Sequence, residues 1–370
     1  MRVGFPHMGN FYIPFEALLK TLGISVVVPP RPSRASVQAA VRHTPEFICF
    51  PMKSTLGDLI CALEKGADTL AWFEGPWSCR FGYYGRLHHQ ILRDMGYRFN
   101  SLLLNSGDLM TSLKDVRRAT RFRFSALVKA LRLSWHKSKL VRLTESLSRS
   151  TSPYGKTPRE TTGIAQRTLK MIREAQAVRE LRGFESKIVS SFKLIPKYTE
   201  RKPLKIMLVG EVYMVLEPEA NFHLVEYLGE HQVLVTPFTS IHNWMFRSIG
   251  AGKRGRGGEN ATRKLAIAHL PYCLGGEDQL SIGYTVLAKK RGYDGVIHVR
   301  PFTCMTENVA HPIIHQISRE YDIPVLSFSL DEHTESVGFF TRVEAFLEIL
   351  DQRRKARHQQ SSIHAVRFTE

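Results

Sequence analysis

"GEDQLSIGYTVLAKKRGYDGVIHVRPFTCMTENVAHPIIHQISREY", residues 276–321, reads as a helix, a short apolar strand and a second helix. The strand is "DGVIHV" (294–299), and it runs into a lone cysteine, Cys304, just before the second helix. A strand held between helices belongs to a parallel sheet with right-handed crossovers. The alternation extends in both directions over residues 203–350. "PLKIMLVG" (203–210), "QVLVTPF" (232–238) and "IPVLSFSL" (323–330) are further strands, with helices at 219–231 and 341–357.

Residues 1–105 show the same alternation. "MRVGFP", "ISVVVPP", "EFICFP" (46–51), "DTLAWF" (68–73) and "NSLLLN" (100–105) read as strands. The helices between them cover 11–23, 54–67 and 83–97. Residues 106–202 differ: long mixed apolar and basic helical patterns at 115–147 and 164–192 enclose a loop, "SRSTSPYGKTPRETTG" (148–163). The expected fold is therefore α/β, with two Rossmann-like parallel-sheet domains, 1–105 and 203–357, flanking a basic helical insertion or linker, 106–202. Residues 358–370 carry no pattern and read as a flexible tail.

The chain has 370 residues and a formal net charge of +18. Residues 111–205 hold 24 Lys and Arg against 7 Asp and Glu, so 24 − 7 = +17 lies in one segment. Such a field draws anions. The segment lacks zinc-finger spacing, an RNP-type aromatic motif and a helix-turn-helix pattern, which argues against nucleic acid and for a solvated helical face. No stretch approaches the about 18–20 apolar residues that span a bilayer. The N-terminus lacks a basic start followed by an apolar run, so no secretory signal is read. Five cysteines without a CxxC pair point to a reducing cytoplasm rather than a disulfide scaffold.

Phosphate-loop and dinucleotide motifs are missing. "SIGAGKRGRGGEN" (248–260) places Arg at both 247 and 254, where a phosphate loop needs Gly and Ser or Thr, and reads as a flexible basic loop. No G-x-G-x-x-G follows the first strand.

The cysteines are more informative. Cys49, Cys79 and Cys304 each follow a predicted strand and precede a helix. The carboxyl ends of parallel strands line ligand crevices, so the three are expected on one side of their sheets, two facing the third across a domain junction. Three thiolates suit an iron–sulfur cluster with one open iron, or zinc with outside help, and three unrelated loop cysteines is the competing reading. Cys61, mid-helix among leucines, reads as a buried filler, and Cys273 stays open as a further ligand.

"FPMKSTLGDLICALEKGADTL", "CRFGYYGRLHHQILRDMGY", "KIMLVGEVYMVLEPEAN" and "IPVLSFSLDEHTESVGFFTRVEAFLEIL", with residues 275–313, resemble the 2-hydroxyacyl-CoA dehydratase superfamily, including its activase-related and double-cubane-cluster-type members. The likeness covers most of 1–105 and 203–350 and leaves the basic middle uncovered. It implies a 4Fe–4S or double-cubane iron–sulfur cluster at the domain junction, with Cys49, Cys79 and Cys304 as iron ligands. It implies a partner as well: an ATP-hydrolysing activator with its own iron–sulfur cluster, which delivers low-potential electrons. In such dehydratases the electron makes a ketyl radical from an acyl-CoA thioester, so that a poorly activated hydroxyl can leave.

The expected activity is thus an oxygen-sensitive (R)-2-hydroxyacyl-CoA dehydratase-like lyase or an ATP-dependent reductase component. The substrate would be an acyl-CoA or another small molecule, and the assembly a homo- or hetero-oligomer. The alternative is a non-catalytic electron-transfer or activator-binding subunit. Thr306, where proline is expected, Arg300, where a small residue is commoner, and "GPWSC" before Cys79 depart from the family pattern. Further candidates at strand ends are Glu211, Tyr213, Arg80 and Lys53. Asn221 reads as a helix cap, and Asp331, Glu332 and His333 as strand-end polar residues.

Overall fold

A computed structural model describes the chain except residues 76–78, 106, 121, 199, 249–256 and 368–370. Two four-stranded parallel sheets form. The first has β1 (Arg2–Gly4), β2 (Ser25–Val27), β3 (Thr69–Glu74) and β4 (Asn100–Asn105) in the order β2-β1-β3-β4. The second has β5 (Leu204–Gly210), β6 (Val233–Pro237), β7 (Gly295–Pro301) and β8 (Val325–Leu330) in the order β6-β5-β7-β8. The orders are the same, so corresponding loops fall at corresponding places. In the second sheet Leu208 sits opposite Ile297, which in turn faces Leu326 on β8. The inner strands β5 and β7 are covered on both faces. Ile206, Leu208, Val209, Val296, Ile297 and Val299 are fully buried, as their unbroken apolar runs require.

One predicted strand is absent. Residues 46–49 of "EFICFP" form turns, and a helix begins at once, Phe50–Glu64. Pro51 decides this. Its missing N–H and fixed φ suit the first turn of a helix, where no partner is needed, so the proline that looked like a strand stop is a helix start. Cys49 therefore follows a turn, not a strand. The chain end also differs. Helix Ser336–Arg367 continues through 358–367, and Gln, Arg, Lys and Ala over 352–360 carry little helical penalty. Residues 368–370 lie outside the described residues, as do most of the basic loop read at 248–260 and Pro76–Ser78 of "GPWSC".

The middle segment is four helices, Leu109–Thr120, Phe124–Thr151, Pro158–Glu174 and Phe184–Lys193. Of the loop read at 148–163, the first four residues end the second of these helices and the last six begin the third, and the helix read at 164–192 is interrupted by a 3₁₀ turn at Val178–Leu181. The segment is built into the core. A single apolar cluster joins Phe15 of the first domain, Leu133, Val141, Ile172 and Phe192 of the middle, and Leu208 and Val296 of the second domain. Some of its positive charge is structural. Buried Lys137 donates to Arg173 O at 2.8 Å, and burial holds its pKa down to about 8. Arg173 in turn clasps Glu16 through Nε at 2.7 Å and Nη2 at 3.3 Å.

Two glycines set the junction. Gly9 has φ +53, and a Cβ there would meet Leu216 O at 2.4 Å, while its N–H donates to Glu217 Oε2 at 2.7 Å across the domains. Gly210 has φ +135, and a Cβ would lie 1.8 Å from Val299 O. Only glycine lets β5 turn there, so that the Glu211 N–H reaches Val299 O at 3.0 Å.

Candidate functional site

All three cysteines stand directly before a helical turn. Cys49 precedes Phe50–Glu64, Cys304 precedes Met305–Glu320, and Cys79 precedes the 3₁₀ turn Arg80–Tyr83 that leads into helix Tyr84–Asp94. Glu211 occupies the same position before Val212–Leu216, and its Oε2 accepts the Met214 N–H at 3.0 Å. Each of these four residues has extended backbone, with backbone N–H groups of the following turn left without helical acceptors. Such positions favour negative charge.

Arg80 joins the three cysteine loops. It follows Cys79 in the chain, and its Nη2 donates to Thr303 O at 2.5 Å, beside Cys304. Its Nη1 donates to Phe47 O at 3.5 Å, two residues before Cys49. The Glu211 carboxylate acts electrostatically on all three thiols, raising the pKa of each. Cys49 and Cys304 are buried and Cys79 half-buried. Burial is the largest cause in each case: it pushes the Cys49 and Cys304 thiols up and Cys79 up to about 12. Without a bound cation, the three are neutral thiols at neutral pH. Cys49 Sγ contacts the Tyr84 hydroxyl, and the Thr306 hydroxyl lies 3.6 Å from Cys304 Sγ.

Carboxylates crowd the same place. Burial raises Glu211 to about 7, and Glu307 and Glu277 add to the rise. Glu307, fully buried one turn beyond Cys304, is raised to about 8, chiefly by burial. It is held by Ser281 Oγ at 3.1 Å and His298 Nε2 at 2.8 Å. Arg300 lies close enough to feel the charge of Cys304 and is bound to Asn308.

The other sequence candidates have structural partners. Lys53 is buried in an ion pair with Glu332 at 2.5 Å, across the domain junction. Tyr213 is buried, and its hydroxyl meets Ser54 Oγ at 2.8 Å, also across the junction. Asn221 caps the next helix, Oδ1 accepting the Leu224 N–H at 3.0 Å. His333 is exposed, and Asp331 accepts its backbone N–H at 3.0 Å. Cys61 is half-buried rather than buried, and Cys273 is exposed, 3.4 Å from Asp278 Oδ1.

Sequence reading missed Tyr84, Glu277, Glu307 and the aromatic wall beside the site. That wall lines a cavity of about 40 Å³ between His7, Phe11, Trp72, Phe81, Tyr213 and Trp244. Glu307 could have been found: it lies three residues after Cys304, which returns it to the same side of a helix start.

Arg80→Met removes both carbonyl ties while leaving the thiols in place. Anaerobic alkylation of Cys79 and Cys304 in the folded protein is expected to run about fivefold faster in this variant, as local opening loses a charge-assisted restraint. Unchanged labelling rates would show that Arg80 does not hold the loops.

Among the described residues no His, Cys, Asp or Glu group is arranged around a single metal ion. A multi-iron cluster accepts donors set farther apart than one ion does, and three desolvated thiols before helical turns, flanked by Arg80, fit that donor set. Two equivalent parallel-sheet domains with a thiol- and carboxylate-lined junction thus define an α/β protein with an interdomain site. The family model described as 2-hydroxyglutaryl-CoA dehydratase, D-component, matches residues 108–350, which is 243 of the 370 residues. The chain belongs to this family. The match takes in the helical middle that the sequence resemblance left uncovered, and it starts after the domain that carries Cys49 and Cys79. A search of curated proteins finds no match to the chain.

Proposed function

We propose that this chain is the iron–sulfur component of a 2-hydroxyacyl-CoA dehydratase-type system of the reducing cytoplasm. Cys49, Cys79 and Cys304 would hold the cluster, and an ATP-hydrolysing activator with its own cluster would supply electrons. The bound cluster would contribute low-potential electrons and an iron with an open coordination position, for dehydration of an acyl-CoA or reduction of another small molecule. The observation that carries the reading is the Arg80 tie, which gathers three cysteine loops that are distant in sequence.

The protein's own groups have definable tasks. Backbone N–H groups after each cysteine and the Arg80 guanidinium favour the thiolate forms once a cation replaces their protons. Tyr84 orients Cys49. The burial of Cys304 and Glu307 keeps bulk water away from them. Glu211, titrating near neutrality, is the candidate for holding or giving up a proton beside the thiols. Lys53 and Tyr213 close the junction rather than meet substrate.

The test is iron and acid-labile sulfide content, with an absorption spectrum, on protein purified and reconstituted without oxygen. Stoichiometric iron and sulfide, with a spectrum perturbed by an acyl-CoA thioester, is the expected result. A cluster silent to every thioester would move the chain to an electron-transfer or activator-binding role. Protein that takes up no iron would end the cluster reading.

A further inference from the structure

A second site stands at the same edge of the second sheet and owes nothing to the cysteines. Helix Phe124–Thr151 carries Lys139, Arg142, Ser146 and Arg149 at three- and four-residue spacing, which places them on one side of the helix. All four line a cavity of about 480 Å³. The opposite wall is the turn after β6, Pro237–Ser240, which opens helix Ile241–Ser248. There Thr239 and Ser240 bring hydroxyls: Thr239 Oγ1 donates to Ser240 O at 3.5 Å, a long bond that a phosphate oxygen could replace, and Ser240 Oγ accepts the Asn243 N–H at 3.3 Å, which leaves its own proton to donate.

Three cations thus face two hydroxyl-bearing residues across an open space. Glu185 contributes one carboxylate to the lining. Glu145 is a further carboxylate beside Arg149: the two line a neighbouring cavity together, and Glu145 Oε1 accepts from Asn10 Nδ2 at 2.9 Å. Burial lowers the Arg149 pKa, and the Glu145 charge acts in the opposite direction. His242, the next imidazole, is held neutral by burial and by Arg142 and Lys139, at a pKa of about 4, so it does not compete for the anion.

Position adds a second argument. In the strand order β6-β5-β7, the turn after β6 lies two strands from Cys304, about 10 Å along the sheet edge. One turn into the same helix, Trp244 meets Phe81 at 5.9 Å between ring centroids and lines the aromatic cavity beside the cysteine loops.

We propose that this cavity is a binding site for the phosphate groups of a small organic phosphate, with Lys139, Arg142 and Arg149 pairing with its oxygens and Thr239 and Ser240 donating from the facing turn. Guanidinium groups favour phosphate through paired N–H donors, and the hydroxyls add directional bonds at a strand's carboxyl end. The shared chemistry is a phosphate or diphosphate ester. It could come from the nucleotide end of a coenzyme A thioester or from a free nucleotide.

Isothermal titration of the full chain with CoA, ADP and inorganic phosphate reads this directly and requires no cluster, so its outcome is separate from that of the iron measurement. The variants are the double substitution Lys139→Gln/Arg142→Gln, at two exposed positions, and Arg117→Gln, an exposed cation of a different basic groove. Circular dichroism confirms that each remains folded. CoA or ADP is expected to bind wild type, with affinity falling about a hundredfold in the double variant, roughly tenfold per charge-assisted contact, and staying unchanged in Arg117→Gln. Binding of CoA without ADP assigns the site to the thioester carrier, and binding of both assigns it to the shared diphosphate. No binding by any of the three probes, or an equal loss in Arg117→Gln, overturns the proposal.

Discussion

Lys53→Met is expected to destabilise the folded chain by about 3 kcal/mol, because it strands the Glu332 carboxylate at a buried position. The pair is 2.5 Å apart, with side chains 4% and 9% exposed, so solvent does little to screen it. Lys53 also donates to Glu46 O at 3.0 Å, and that acceptor would lose its partner too. The two residues come from different domains, and the cleft they close is also lined by Ile48 and Thr303, neighbours of Cys49 and Cys304. Urea unfolding should therefore show a lower midpoint with an unchanged slope. The double variant Lys53→Met/Glu332→Met should recover most of the loss, since an apolar pair of similar volume replaces a buried ion pair at little cost. A single variant within about 0.5 kcal/mol of wild type would mean that water reaches the pair and that the junction is held elsewhere.

Cys49→Ala, Cys79→Ala and Cys304→Ala should each bring bound iron and sulfide down to background, while Cys61→Ala retains the wild-type content. Three thiolates are the minimum that the gathered loops provide, so each removal leaves a set of two. The control differs physically from the others: Cys61 lies mid-helix, whereas the Cys273 loop reaches the Cys304 loop, where Gly276 packs against Thr306. The sign of the pH effect follows from the raised thiol pKa values. With Cys79 at about 12 and the other two also raised, each ligand must lose a proton on binding. Reconstitution should improve as pH rises through the neutral range. Iron retained in Cys304→Ala would remove that residue from the ligand set and leave the second domain without a role in holding the cluster.

Much of this architecture could be read from patterning. The strand read at "NSLLLN" is β4, and "DGVIHV" falls within β7 apart from its first residue, because buried parallel strands are short apolar runs between helices. "EFICFP" deceived because an apolar run of that length looks the same whether it enters a strand or the first turn of a buried helix; Pro51 fits either end of an element. The nearness of the Cys79 and Cys304 loops could be anticipated from topology, since strand ends of parallel sheets face one crevice, but that of Cys49 could not, because it follows a turn. Arg80 was visible as a neighbour of Cys79, but not as a tie, because its acceptors are backbone carbonyls and any residue type could have supplied them. Lys53 and Tyr213 looked like site residues for the same reason that they are junction residues: both stand near strand and helix ends that face the other domain. The contribution of the middle helices to the common core was hidden by their basic residues, whose exposed side dominates the composition.

The spacing of Cys49, Cys79 and Cys304 along the chain also fixes an order of events during synthesis. Cys304 leaves the ribosome 304 − 79 = 225 residues after Cys79. At ordinary elongation rates this gap lasts about 10 to 45 seconds. Throughout that interval Lys53 lacks Glu332 and the Arg80 guanidinium lacks Thr303. The nascent amino-terminal domain then holds Cys49, Cys61 and Cys79 without Cys304. On the cluster reading proposed above, loading would wait until Cys304 has been made, and the early thiols would have to stay reduced until then.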